Sequence, residues 1–450
     1  MKAIEGSLIL GVAVAVVCFG GTEPVSFAAV EIMFFAMAVW LAVRPPAATA
    51  ALRPTYFSVP AILAGVAFLQ LCPLPPFVRG VLAGRGAEFR NSSWGVLTLT
   101  PYQTRSELLI LLTCCLAFFL GTMVSGERAR KRRLMHALVA LGAAEALYGL
   151  IQYLANWQNI FWYAKKYDLQ EATGTYINRN HFAGLLEMVL PFAVGLAIYE
   201  GEKLGGERNH RSRRVAGTSS NLAKMTLWLG VAVVIVAAIV FSRSRMGILC
   251  ACASLIVVLG LNGLQKKAVP LGVTGAFLVL SLSFASWIGL RPALNRFENV
   301  GQEFSSQNET RLSVWPGAVE LIRQRPLIGS GLGAFPIAYT AFQSTFLTRF
   351  LNHAHNDYLE FSADLGIPAA VALFAAIVWV LCRGIRTFLR AESRFERNTA
   401  LACVGSIATI LLHSLTDFNL HIPANALVLA TILGITLASS SVASQSEATA

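Results

Sequence analysis

The stretch Met225-Thr226-Leu227-Trp228-Leu229-Gly230-Val231-Ala232-Val233-Val234-Ile235-Val236-Ala237-Ala238-Ile239-Val240-Phe241-Ser242 carries no charge. As a helix rising about 1.5 Å per residue it covers about 27 Å, close to the roughly 30 Å hydrocarbon core of a bilayer. Its apolar residues follow one another without alternation, which excludes a barrel strand, where lipid-facing and lumen-facing residues take turns. In lipid every backbone N–H and C=O needs an internal partner, so the stretch predicts a membrane-spanning helix.

Similar runs recur at 6–21, 25–43, 57–75, 106–125, 134–154, 181–199, 246–263, 268–289, 365–382, 399–417 and 424–440. Only 13% of the 450 residues are charged, against about 25% in soluble domains. A chain so poor in charge cannot cover water-facing globular surfaces, so soluble, disordered and fibrous classes fall away. The expected fold is an all-α polytopic membrane protein of about twelve transmembrane helices. The first run lacks a small-x-small cleavage pattern at Val17-Cys18-Phe19-Gly20-Gly21 and reads as a retained helix. Cys18, Cys72, Cys114, Cys115, Cys250, Cys252, Cys382 and Cys403 all lie in or beside apolar runs. That pattern suits small core residues better than disulfides or a thiolate metal site.

The net charge of +12 would suggest nucleic acid in a soluble protein. Counted across twelve spans, it falls almost wholly on one face, with Arg128–Arg133, Arg208–Arg214, Lys266-Lys267 and Arg383–Arg397. Basic residues in short loops mark the cytoplasmic side, so both termini are expected there and nucleic acid loses its support. The nearly neutral opposite face holds two long segments, Pro73–Arg105 and Leu290–Ala363. The chain divides into N-terminal helices with a first outer loop (1–105), a central bundle (106–289), a large periplasmic loop (290–363) and C-terminal helices with a short polar tail (364–450). Within the large loop, Glu309–Arg323 predicts an amphipathic helix with Leu312, Trp315, Val319 and Ile322 on one stripe. Pro326 ends it, and Gly329-Ser330-Gly331-Leu332-Gly333 reads as a tight turn. A dinucleotide fingerprint would need a preceding strand, whereas a helix precedes it here.

Four groups of polar residues gather on the outer face. His353-Ala354-His355-Asn356-Asp357 has imidazole and carboxylate in metal-ligand spacing, lacks the continuing histidine of a binuclear site, and also suits a helix cap. Its third reading is catalytic, because histidine moves protons near neutral pH. Ser242-Arg243-Ser244-Arg245 puts two guanidiniums in a tight turn, either snorkelling or binding an anion through paired forks. Asn178-Arg179-Asn180-His181 opens a helix, with Asn180 as a plain cap or an anion contact. His413 and Asp417 are four apart at membrane depth, as an interhelical pair or as part of a site.

These blocks resemble the O-antigen ligase/polymerase family, bacterial membrane glycosyltransferases of the C superfamily. The resemblance rests on Thr100-Pro101-Tyr102-Gln103-Thr104-Arg105, Asn178–Ala183, Ser242–Arg245, Arg311-x3-Trp315 with Pro326–Phe335, His355-Asn356-Asp357-Tyr358-Leu359-Glu360, and His413–Phe418 with Ile422-Pro423-Ala424-Asn425. It implies about twelve helices, a large periplasmic loop, residence in the inner membrane, and no metal or nucleotide cofactor. The implied reaction moves a glycan from undecaprenyl pyrophosphate to an acceptor hydroxyl on a glycan, lipid A-core or protein. Membrane lipids and other envelope polysaccharide assembly proteins are the further partners implied, and nucleic acid is not among them. Carried over, the family's functional residues are Arg245, Arg311 and His355. Met246 departs from the glycine that commonly follows the arginine, which leaves Arg243 and Arg245 both open as the pyrophosphate ligand. His355 is the expected base, oriented by Asp357 or Glu360. Arg243, Asn180, His181, His353, Asn356, Asp357, Glu360, His413 and Asp417 are the expected substrate-side residues. The alternative is a lipid-linked glycan flippase or anion transporter that breaks no sugar–phosphate bond; a non-enzymatic scaffold is a weaker third.

Overall fold

A computed structural model describes residues 1–46, 52–83, 93–206, 214–264, 311–343 and 351–448. The chain is an all-α polytopic membrane protein. Its helices are Lys2–Val17 (α1), Pro24–Val43 (α2), Ser58–Leu71 (α3), Pro76–Leu82 (α4), Pro101–Ser125 (α5), Arg128–Leu154 (α6), Arg179–Gly206 (α7), Arg214–Phe241 (α8) and Arg245–Gly263 (α9). Arg311–Gln324 (α10), Phe335–Ala338 (α11), Asp357–Leu365 (α12), Ile367–Arg390 (α13), Arg394–His413 (α14) and Pro423–Ala448 (α15) follow. A short antiparallel pair, Asn159–Ile160 (β1) with Tyr163–Ala164 (β2), lies between α6 and α7. Among the described residues, 8 helices are long and apolar enough to cross a membrane. All the apolar runs fall on helices except 268–289, which lies outside the described residues.

Helix α7 forms the centre of the bundle. It is apolar on every side, from Phe182 through Leu186, Val189 and Phe192 to Leu196, and all of these are buried, as expected for a helix walled in by others. Helices α8, α14 and α9 pack around it. Helix α15 packs closely on α5, because Gly434 has no side chain: a Cβ there would come 2.5 Å from Phe118 O and 2.7 Å from Thr122 N. Small residues at such seams let backbones approach and gain dispersion contact where lipid offers no hydrophobic drive.

At one end of the bundle, basic residues of the charge-rich loops are held in ion pairs. Lys131 Nζ lies 2.6 Å from Glu396 Oε2 and 3.0 Å from Ser439 Oγ. One guanidinium nitrogen of Arg397 donates to both oxygens of Glu202, at 2.9 and 2.8 Å. The polar blocks collect at the other end.

There α10 packs on the loop elements through Val314, Ala318, Leu321 and Ile322, against Phe335, Tyr339, Ala354 and Ala363. The expected stripe is therefore shifted: Trp315 and Val319 are only half-buried, and the Leu312 side chain lies outside the described residues. Both faces of this helix carry apolar residues, and the docking partner, not the period, chooses between them. The glycine-rich segment is a clasp. Gly329, Gly331 and Gly333 have φ of 72°, 121° and 75°, and a side chain at Gly331 would strike Thr98. Asp364 accepts from Gly333 N at 2.7 Å and Phe335 N at 2.9 Å. Gln70 donates to Ile328 O at 2.6 Å and Asp364 O at 2.7 Å, and accepts from Leu332 N at 2.9 Å. Asp364→Ala is expected to cost about 1–3 kcal/mol for each amide left unpaired, read as a lower thermal unfolding midpoint in detergent; an unchanged midpoint would show the clasp to be dispensable.

Candidate active site

The block before α12 is organised by its cap. Asn356 takes extended backbone, φ −163°, and its side-chain oxygen accepts from Leu359 N at 3.1 Å. Its amide nitrogen donates to Leu415 O at 3.0 Å, fastening the helix start to the segment between α14 and α15. Asn356 is thus the cap. His355, just before it, has φ of 51°, the left-handed region that non-glycine residues seldom occupy. That turn frees its ring from the helix and brings Nδ1 to 3.4 Å from Asp417 Oδ1.

Asp417 is fully buried and accepts from Phe418 N at 3.0 Å. On its other flank stands His181, with Nε2 at 3.8 Å, too long for a hydrogen bond. The Phe418 ring joins three histidines: it stacks on His353 at 3.8 Å and meets His181 at 4.6 Å and His355 at 5.0 Å, edge to face. His181 is buried, whereas 28% of the His355 side chain and 27% of His353 are exposed. A carboxylate on one imidazole nitrogen with the ring partly open is the arrangement of a positioned general base.

Two expectations are corrected here. Asp357 and Glu360 do not orient His355. Asp357 accepts from Ser414 Oγ at 2.7 Å and Leu420 N at 3.2 Å, and lies 2.8 Å from His421 Nδ1. Glu360 takes His353 Nδ1 at 2.6 Å and Ala354 N at 2.8 Å. Both are buried; in the first turn after the cap they point back at the 414–421 segment and at the chain entering the helix. His413 and Asp417 also part company, because α14 ends at His413. His413 turns inward to Glu187 Oε1, at 2.9 Å, with both side chains fully buried.

His421 completes the cluster and carries its charge. Burial works against its charged form, but Glu360 and the hydrogen bond to Asp357 outweigh burial and push its pKa up to about 10. Burial also opposes an ionised Glu360, yet the His421 and His353 imidazoles hold that carboxyl below its ordinary value. The stabilisation from His421 is therefore complete below its ordinary pKa of 6.5 and is lost as pH rises towards about 10. That from Glu360 is present above 4.5 and fades as pH falls through its lowered value. The thermal midpoint in detergent should fall between neutrality and pH 10 for this chain, and His421→Gln should flatten that limb. Equal slopes would remove His421 from the cause.

Next to this cluster lies the arginine turn. Ser244 caps α9, accepting from Gly247 N at 3.2 Å, and Ser242 donates to Ile239 O at 2.6 Å. Both hydroxyls of the turn are therefore engaged by neighbouring backbone. Gly247 lets α9 press on the first turn of α7, where a Cβ would come 2.5 Å from Ala183 Cβ. Arg243 lies 3.5 Å from Glu171 Oε1 and 5.9 Å from the Tyr153 ring centroid. Arg179 meets the same carboxylate oxygen at 3.0 Å. Asn178, not Asn180, caps α7, accepting from Asn180 N at 2.8 Å. Arg311 opens α10, and its side chain lies outside the described residues.

The fold thus brings His181, His353, His355, Asn356 and Asp417 together, with Arg243 and Arg245 beside the same first turn of α7. It removes Asp357, Glu360 and His413 to buried pairs. Phe418 and Glu187 were missed as organising residues, and neither type in isolation signals a site; the signal available for Glu187 is a carboxylate within the apolar run 181–199.

No curated protein matches the chain. Residues 230–374 match the family model described as O-Antigen ligase. That interval takes in Arg243, Arg245, Arg311, His355 and all of α12. The chain therefore carries an O-antigen ligase domain over 230–374, and the resemblance to the O-antigen ligase/polymerase family is borne out.

Proposed function

We propose that this protein transfers a glycan from undecaprenyl pyrophosphate to an acceptor hydroxyl at the periplasmic face of the inner membrane. Glycosyl transfer of the O-antigen ligase/polymerase type is the activity class of its domain. The observation that carries the finer reading is His355, partly exposed and held by buried Asp417, on the chain segment that also supplies the arginines.

The reaction breaks the bond between sugar C1 and the pyrophosphate oxygen and forms a bond from C1 to the acceptor oxygen. His355 takes the acceptor's proton, with Asp417 steadying the resulting imidazolium. The departing pyrophosphate gains negative charge, which Arg245 and Arg311 offset. Arg243 has a lesser part, because the resemblance carries the family's arginine onto Arg245. His181, His353, Asn180 and Asn356 line the approach. The large loop and this site face the periplasm, and both termini face the cytoplasm.

Purified protein given a lipid-linked donor and acceptor should release undecaprenyl pyrophosphate as the glycan is joined. Movement of intact donor across a vesicle without release would favour a transporter instead. In a disruption strain, loss of long chains with single units still attached marks a polymerase; loss of attachment marks a ligase.

A further inference from the structure

Two turns into α7, below the histidine cluster, three side chains of metal-ligand type converge from three helices. They are Glu187 on α7, Cys250 on α9 and His413 on α14, all buried, with their donor atoms within 4.8 Å of one another. Glu187 Oε1 stands 2.9 Å from His413 Nδ1. In a tetrahedral zinc site, bonds of about 2.0 Å to nitrogen or oxygen and 2.3 Å to sulfur place donor atoms roughly 3.3–3.6 Å apart. Small side-chain rotations bring the three onto one ion.

Independent observations point the same way. Glu187 Oε2 has no hydrogen-bond partner among the described residues, although the side chain is fully buried. Buried carboxylate oxygens are normally paired or bound to metal. The frame is also fixed at two of the three ligands. Ser406 Oγ on α14 donates to Met188 O at 2.5 Å, and Thr409 Oγ1 donates to the carbonyl of Cys250 itself at 2.9 Å. Charge balance agrees: one divalent cation against a carboxylate, a thiolate and a neutral imidazole sums to zero, the state a low-dielectric interior favours.

We propose that Glu187, Cys250 and His413 form a structural site for a zinc-class divalent cation, stapling α7, α9 and α14 behind the histidine cluster. On binding, the Cys250 thiol proton and the proton held between Glu187 and His413 leave to solvent, and a water fills the fourth position. The site is closed, so the ion enters as the helices assemble. Cysteine here serves as a ligand, where its place in an apolar run suggested core filling.

The test uses the full chain, without an affinity tag that binds metal, produced in medium containing zinc or cobalt(II) and purified in detergent. We expect about one ion per chain after desalting, and in the cobalt form a thiolate-to-cobalt charge-transfer band in the near ultraviolet. Cys250→Ser should lose the band, while Cys403→Ser, at another buried cysteine, keeps it. The wild-type spectrum decides even if a variant misfolds. Metal at trace level in the wild-type chain, or cobalt bound without a thiolate band, overturns the proposal and leaves Glu187–His413 as a hydrogen-bonded pair. Glycan transfer enters none of these readouts.

Discussion

His355→Ala is expected to reduce glycan transfer by about 10²–10⁴-fold, the usual contribution of a general base, while the protein still inserts. An acceptor hydroxyl is a weak nucleophile, and its proton must leave as the C1–O bond forms. The geometry serves that step: Asp417 approaches one ring nitrogen at 3.4 Å, and the ring is 28% exposed. The variant removes no buried partner of the His353–Glu360–His421–Asp357 cluster, so the thermal midpoint should hardly change. Asp417→Asn is the companion: the ring keeps a neighbour but loses the negative charge that favours imidazolium. Its loss of rate should be smaller than that of His355→Ala, because the ring itself remains to take the proton. The rate of undecaprenyl pyrophosphate release measures both, and full turnover by His355→Ala would end the base assignment.

The second large effect is expected at the arginine turn. Arg245→Lys keeps the charge and loses the planar fork that matches a phosphate. Removing one preorganised donor aimed at developing charge costs about 10²–10³-fold in rate, and a lysine should recover only part of it. Arg243→Lys should cost less, because the resemblance carries the family's functional arginine onto Arg245. Parallel rates for the two variants, at saturating donor, decide the matter. The reverse order would move the pyrophosphate to Arg243.

Much of this architecture is written in hydropathy. Runs of apolar residues predict where helices lie, because a bilayer imposes a length and a hydrogen-bonding rule on each segment separately. Which helices touch is another matter, since lipid and protein interior are equally apolar to a leucine. The Glu187–His413 pair, 226 residues apart in sequence, illustrates the limit: each lies on an apolar helix with nothing to name its partner. The orienting carboxylate shows a local form of it. Asp357 and Glu360 are near His355 in sequence, but the Asn356 cap starts a helix between them and turns both away. Asp417, 62 residues on, reaches the ring instead, because the chain leaves α14 at His413 and doubles back. His355 and the arginines stood out early because charged and titratable groups are scarce in such a chain, so their sidedness alone carried information.

The seam between α5 and α15 has a consequence for how the protein is made. Gly121 and Gly434 meet across it, and at about 5–20 residues per second a ribosome takes roughly 15–60 s to add the roughly 300 residues between them. Throughout that time α5 is already threaded into the bilayer with its glycine face bare. Any small-residue helix of another nascent chain can settle there first. Biogenesis of the protein therefore depends on α15 arriving in time, and a translocase or insertion chaperone that shields α5 would raise the yield without touching the folded protein's stability.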